Sequence, residues 1–166
     1  MKKTANLTCG LLWVVSYGFI AAQTLTPGCP EAPSYGNDTN AGHFAKVNGI
    51  SLYYEIRGDG PPLLLIHGNG GSIERVRCQI EYFSRSRRVI VADSRAHGRS
   101  DSGAGRLTYE QIADDLSALL GELKIDASDL WGHSDGGIVA LLLAIRHPGQ
   151  VRKVIASSAN LRERAA

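Results

Sequence analysis

Basic residues are scattered along these 166 residues and the formal charge is only +2, so the chain carries no electrostatic footprint for nucleic acid. No G-K-[ST] triplet follows a glycine-rich turn, which excludes the phosphate loop of nucleotide hydrolases. His, Cys and Asp nowhere gather at ligand spacing, so neither a metal nor another cofactor is expected. Repeats and low-complexity tracts are absent, and the apolar stretch near the start is too short for a comfortable membrane span. What is present is 43% hydrophobic and 20% charged, the composition of one globular domain, two at most.

Cysteine is scarce, and its three copies are read through the N-terminus. Lys2 and Lys3 precede the apolar residues 11–22, and Ala22 before Gln23 is a plausible cleavage point. That layout predicts a secretory signal over residues 1–22 and a secreted or periplasmic protein. Cys9 would leave with the signal, and Cys29 and Cys78 would remain in an oxidising compartment. On a helix expected over residues 72–83, capped by Ser72, the side chains Ile73, Val76, Ile80 and Phe83 share one face and Cys78 points away. A bridge to Cys29 and an exposed thiol both satisfy that geometry. Pro27, Pro30, Pro33, Gly36 and Gly42 punctuate residues 23–42 too often for regular structure, which predicts a flexible linker. Within it, Asn37-Asp38-Thr39 has the glycosylation pattern. The folded domain is expected over residues 43–166.

Residues 44–46 and 50–56 flank Asn48-Gly49, a strong hairpin signal. Leu63-Leu64-Leu65-Ile66 and Val89-Ile90-Val91-Ala92 are short continuous apolar runs, as expected for strands covered on both faces. Thr108 and Gln111 form a capping box ahead of a helix with Ile112, Leu116, Leu119 and Leu123 on its apolar face. Strands over residues 127–131 and 151–156 follow, separated by a helix that His147-Pro148-Gly149 ends. Alternation of strand and helix predicts an α/β fold with a mainly parallel sheet.

The chain is organised around Gly132-His133-Ser134-Asp135-Gly136-Gly137, placed between a strand end and residues 138–145. Those residues are apolar on every side, which predicts a helix buried over most of its surface. Glycines two residues either side of Ser134 permit a sharp turn that leaves the serine strained and its hydroxyl exposed. At the helix start the Asp135 N–H can meet a developing oxyanion, aided by the helix dipole. His67-Gly68-Asn69-Gly70-Gly71 follows the first apolar strand directly, so that an N–H of this loop can oppose Asp135.

Asn48-Gly49, Leu65-Ile66-His67-Gly68, Asp93-Ser94-Arg95-Ala96-His97-Gly98-Arg99-Ser100 and the Ser134 elbow resemble the successive landmarks of an α/β-hydrolase, in that family's order from about Phe44 onward. The resemblance implies Ser134 as nucleophile and the N–H groups of Asn69 and Asp135 as oxyanion hole, acting by acyl transfer on a small ester, thioester or amide. Serine at the elbow disfavours the family branches that attack with a carboxylate. In this family the acid and histidine come after the serine. The chain reads as truncated after its sixth strand, and the lid and those two groups have no counterpart in it.

Among the residues present, His67 and His97 are expected to shape turns, and His133 to point away from the hydroxyl of its neighbour. His43 and His147 are expected at element ends on the surface, and Asp93, Arg95 and Asp101 as hydrogen-bonding loop groups. Glu163 is the only carboxylate after the sixth strand. Two expectations follow. One is a serine hydrolase represented by its N-terminal part, and the other is a catalytically inactive exported binding protein on the same scaffold. The last strand is expected to form a sheet edge carrying Val151, Val154 and Ile155, through which chains could self-associate.

Overall fold

The computed structural model describes residues 34–160. The signal expected over residues 1–22, Cys29 and Glu163 lie outside the described residues.

Asn48 (φ 44°) and Gly49 (φ 78°) both adopt positive φ, the geometry of a two-residue hairpin turn. They join β1 (Gly42–Val47) to β2 (Ile50–Arg57). β2 runs antiparallel to β4 (Arg88–Ala92), which pairs in parallel with β3 (Pro62–Ile66). On its other side β3 pairs in parallel with β5 (Ser128–His133), and β5 with β6 (Val151–Ser157). The described sheet has six strands in the order β1-β2-β4-β3-β5-β6. The mainly parallel sheet expected from the alternation of elements is therefore present.

Side chains alternate across a strand, so the continuous apolar run of β3 serves two cores at once. Leu64 and Ile66 face one side with Ile90, Ala92 and Leu130. There they meet Leu116, Leu119 and Leu120 of α2 (Tyr109–Glu122) and Val139, Ala140 and Leu143 of α3 (Asp135–Arg146). Leu63 and Leu65 face the other side with Val89 and Val91, against Ile73, Val76 and Ile80. Burying each of the valine, leucine and isoleucine side chains is worth roughly 1.5–3 kcal/mol, so both layers stabilise the central strands.

The second layer is a 3₁₀ turn, Ile73–Val76, continued by α1 (Arg77–Phe83). Ser72 does not cap it through its side chain, contrary to expectation. Asp93, just past β4, takes that place by accepting the Ile73 N–H at 2.8 Å, because a buried carboxylate needs donors and finds them at this turn. Cys78 lies on the exposed side of α1 as expected and is disulfide-bonded, which removes the free-thiol alternative. α3 departs from its expected burial as well. Val139, Ala140 and Leu143 are covered, but Ile145 is 74% exposed because no described element packs on that side.

Part of the expected linker is tied to the sheet. Residues 34–41 have no helix or strand, yet Tyr35 is buried in the second core. The Gly36 N–H donates to buried Glu55 Oε1 at 2.7 Å, and Asp38 pairs with Arg57 at 2.7 Å. Burial and a hydrogen bond to Glu81 push the Tyr35 hydroxyl up to about 12.

Candidate active site

The carboxyl ends of β3, β4 and β5 lie side by side, where open α/β sheets bind ligands. Each delivers a loop: His67-Gly68-Asn69 from β3, Asp93 onward from β4, and Ser134 from β5.

Ser134 has φ 54° and ψ −123°, a left-handed conformation that an L side chain adopts only under constraint. Glycines on both sides make it attainable. A Cβ on Gly132 would stand 2.1 Å from the Gly136 carbonyl oxygen, and one on Gly136 would stand 2.3 Å from that of Ile66. Backbone hydrogen bonds then hold the turn, with the Ser134 N–H donating to the Ser157 carbonyl and the Gly137 N–H to the Ser134 carbonyl, each at 2.8 Å. The Ser134 hydroxyl makes no hydrogen bond to any described residue.

Beside it opens a cavity of about 370 Å³, between the β3 loop, residues 106–110 and the first turn of α3. Asn69 and Asp135 both line it. Neither backbone N–H donates to a described group; that of Asp135 is an orphan of the helix start. Ser134 is not in the cavity wall itself but borders it at Gly68, where an added Cβ would lie 3.1 Å from the Ser134 Cβ. Leu107, Ile112 and Val139 make the wall partly apolar, and Arg106, Tyr109 and Glu110 give it a polar rim.

The two loop histidines are committed to backbone contacts. His67 Nε2 accepts the Ser94 N–H at 3.0 Å, so its proton sits on Nδ1 and is donated to the Gly68 carbonyl at 2.8 Å. Burial holds this imidazole below its usual range. His97 is fixed alike, its Nε2 accepting the Gly70 N–H at 3.2 Å and its Nδ1 donating to the Arg95 carbonyl at 2.9 Å. Both therefore shape turns, as expected. His133 is exposed and stacks on Trp131, with centroids 6.3 Å apart. His43 lies against Tyr54, and His147 Nε2 is 2.7 Å from Asp114 Oδ1. No described histidine is hydrogen-bonded to Ser134.

The β4 loop is held by the carboxylates that its sequence suggested. Asp93 Oδ2 accepts the Arg99 N–H at 2.8 Å, and its carbonyl accepts the Ser100 hydroxyl at 2.6 Å. Asp101 Oδ2 accepts the Ser51 N–H at 2.9 Å. Arg95 makes two bonds of 2.8 Å to Asp115, both side chains being buried. Asp115 was not singled out in the sequence. Its place at i+3 from Ile112, on the buried face of α2, was the available sign. Tyr109 escaped notice too; its hydroxyl donates to Asp135 Oδ2 at 2.8 Å.

A mainly parallel α/β sheet with a serine on a strained strand-to-helix turn at its carboxyl end defines a class of folds, and comparison with known proteins names the family. The alpha/beta hydrolase fold matches residues 61–165, and the chain belongs to that family. The uncharacterized hydrolase YraK of Bacillus subtilis is 33% identical over 112 residues, 66% of this chain and 41% of that protein. Epoxide hydrolase 4 of Mus musculus is 33% identical over 156 residues, 87% of this chain and 42% of its own length. Among solved structures, the enol-lactonase of Burkholderia xenovorans superposes with a TM-score of 0.69 at 31% identity, covering 72% of this chain and 48% of that one. The chain thus spans between two fifths and one half of the length of these relatives.

Proposed function

We propose that the protein is a serine hydrolase that cleaves a small ester, thioester or amide by acyl transfer through Ser134. One observation carries this reading: a strained serine, whose hydroxyl bonds to no described residue, stands beside a cavity lined by Asn69 and Asp135, whose backbone N–H groups donate to no described group. Ser134 Oγ attacks the substrate carbonyl and gives up its proton to a general base. The Asn69 and Asp135 N–H groups hold the resulting oxyanion, assisted by the positive end of α3. Collapse of the tetrahedral intermediate expels the alcohol, thiol or amine and leaves an acyl-serine, which water then hydrolyses. The base and its acid partner follow the serine in this family's chain order, and in this reading they come from outside the described residues. The lactone-cleaving relative supports an ester-like substrate. Epoxide hydrolase 4 is an equally good sequence match, but serine in place of a carboxylate at the elbow weighs against epoxide opening.

A fluorophosphonate probe followed by peptide mapping tests the assignment. In a protein that also supplies the base and its acid partner, label is expected on Ser134 and lost in Ser134→Ala. Label that persists in that variant, or maps to Ser72 or Ser102, would overturn it.

Export belongs to the same proposal. The basic start with its apolar run and the disulfide at Cys78 both support an oxidising destination. N-terminal mass spectrometry should find Gln23 first, and intact Met1 in a cytoplasmic fraction would refute it. Self-association through β6 is also proposed, since β6 pairs only with β5 among the described residues and Ile155 is 58% exposed.

A further inference from the structure

Tyr109 is the first residue of α2 and Asp135 the first residue of α3, and both line the cavity beside Ser134. The Tyr109 hydroxyl spans the gap to Asp135 Oδ2 at 2.8 Å, the one hydrogen bond that the Asp135 side chain makes to a described residue. At the Tyr109 end the tie is anchored. The Thr108 hydroxyl accepts the Gln111 N–H at 3.2 Å and Gln111 Oε1 accepts the Thr108 N–H at 3.3 Å, so the first turn of α2 cannot swing freely. At the Asp135 end the tie meets a cavity-lining residue whose backbone N–H donates to no described group.

That residue poses an electrostatic problem. A carboxylate is favourable at a helix N-terminus in the resting protein. During acyl transfer, however, the same first turn must stabilise a second negative charge, and a loose carboxylate there would repel it. A phenol that donates to Oδ2 holds the carboxylate toward α2 and draws off part of its charge.

Resting on the serine-hydrolase reading, we propose that Tyr109 is a positioning residue of the oxyanion hole, fixing through Asp135 the first turn of α3 and the direction of the Asp135 N–H. The hydrogen bond to Asp135 raises the Tyr109 hydroxyl above its usual range, which suits a donor and argues against its acting as a base. His97 serves the opposite donor in the same manner, gripping the Gly70 N–H next to Asn69. The two donors are thus held from two different elements.

The test is the rate at which a fluorophosphonate modifies Ser134 in a protein that also supplies the base and its acid partner, measured against probe concentration in wild type, Tyr109→Phe, Asp135→Ala and the double variant. Tyr109→Phe should lower the maximal rate about tenfold, short of the roughly 10²–10³ lost when an oxyanion donor is deleted outright. The half-saturating concentration should stay unchanged. In the Asp135→Ala background, Tyr109→Phe should have no further effect. Hydrogen exchange in residues 134–139 should quicken in Tyr109→Phe while residues 116–120 keep their wild-type rate, which separates a local loosening from misfolding. A maximal rate equal to wild type, or full additivity with Asp135→Ala, would overturn the role of Tyr109. Wild type that is not labelled at Ser134 would overturn the serine-hydrolase reading instead, and the two failures are told apart by the wild-type lane alone.

Discussion

Arg95 and Asp115 illustrate how single residues hold the site without touching it. Their paired bonds, with the Arg95 Nη2 contact to the Asn48 carbonyl at 3.2 Å, join the β4 loop to α2 and to the hairpin turn. Removing one partner leaves the other charge buried and uncompensated, so Asp115→Ala should cost about 3–5 kcal/mol. The double change Arg95→Met with Asp115→Leu should cost clearly less, and urea unfolding midpoints of the three proteins measure the difference. His67 gives a pH signature of its own. Burial depresses its folded pKa below the ordinary value of about 6.5, so the unfolded chain binds more protons across the interval between the two. The stabilisation is complete above about pH 6.5 and is lost as pH falls through the folded value. In His67→Gln the unfolding midpoint should therefore decline less steeply over that acid range than in wild type.

At the scale of elements, α2 begins where its capping box says it should. Thr108→Ala should lower stability by about 1 kcal/mol, read from the thermal midpoint. That start was legible because the box is a local pattern, and so were the hairpin turn at Asn48-Gly49, the two-faced strands and the serine elbow. Each rests on residues within a few positions of one another, and backbone sterics do the rest. What could not be read depends on chain segments meeting in space. Ser72 looked like a cap, but Asp93, twenty-one positions further on, reached the Ile73 N–H first. Tyr109 and Asp135 are 26 positions apart, and nothing in either local sequence announces their bond. Ile145 shows the opposite error, since apolar character by itself does not say whether a covering element is present. The same division runs through the candidate site: Ser134, Asn69 and Asp135 are suggested by their motifs, whereas Arg106, Leu107 and Tyr109 reach the cavity only through the packing of α2 against α3.

For the whole molecule, the sheet makes the outermost described strand a decisive feature. β6 carries Ile155 in the open and borders no strand but β5 among the described residues. Sedimentation of the chain should show association that grows with concentration, and Ile155→Lys should shift it toward monomer, since a charge on an edge strand opposes pairing between molecules. A monomer at all concentrations in wild type would contradict the self-association proposal.

The stacking of His133 on Trp131 makes the elbow optically addressable. The sequence holds two tryptophans, Trp13 and Trp131. In a chain that begins at Gln23, or in Trp13→Phe, all indole emission therefore arises three residues from Ser134. The imidazole ring lies nearly parallel to the indole, with 12° between planes. Removing that ring in His133→Ala should therefore change the emission. The proposed mechanism acylates Ser134 three residues along, so a fluorescence change on mixing with an ester would time the covalent step directly, without a coloured substrate.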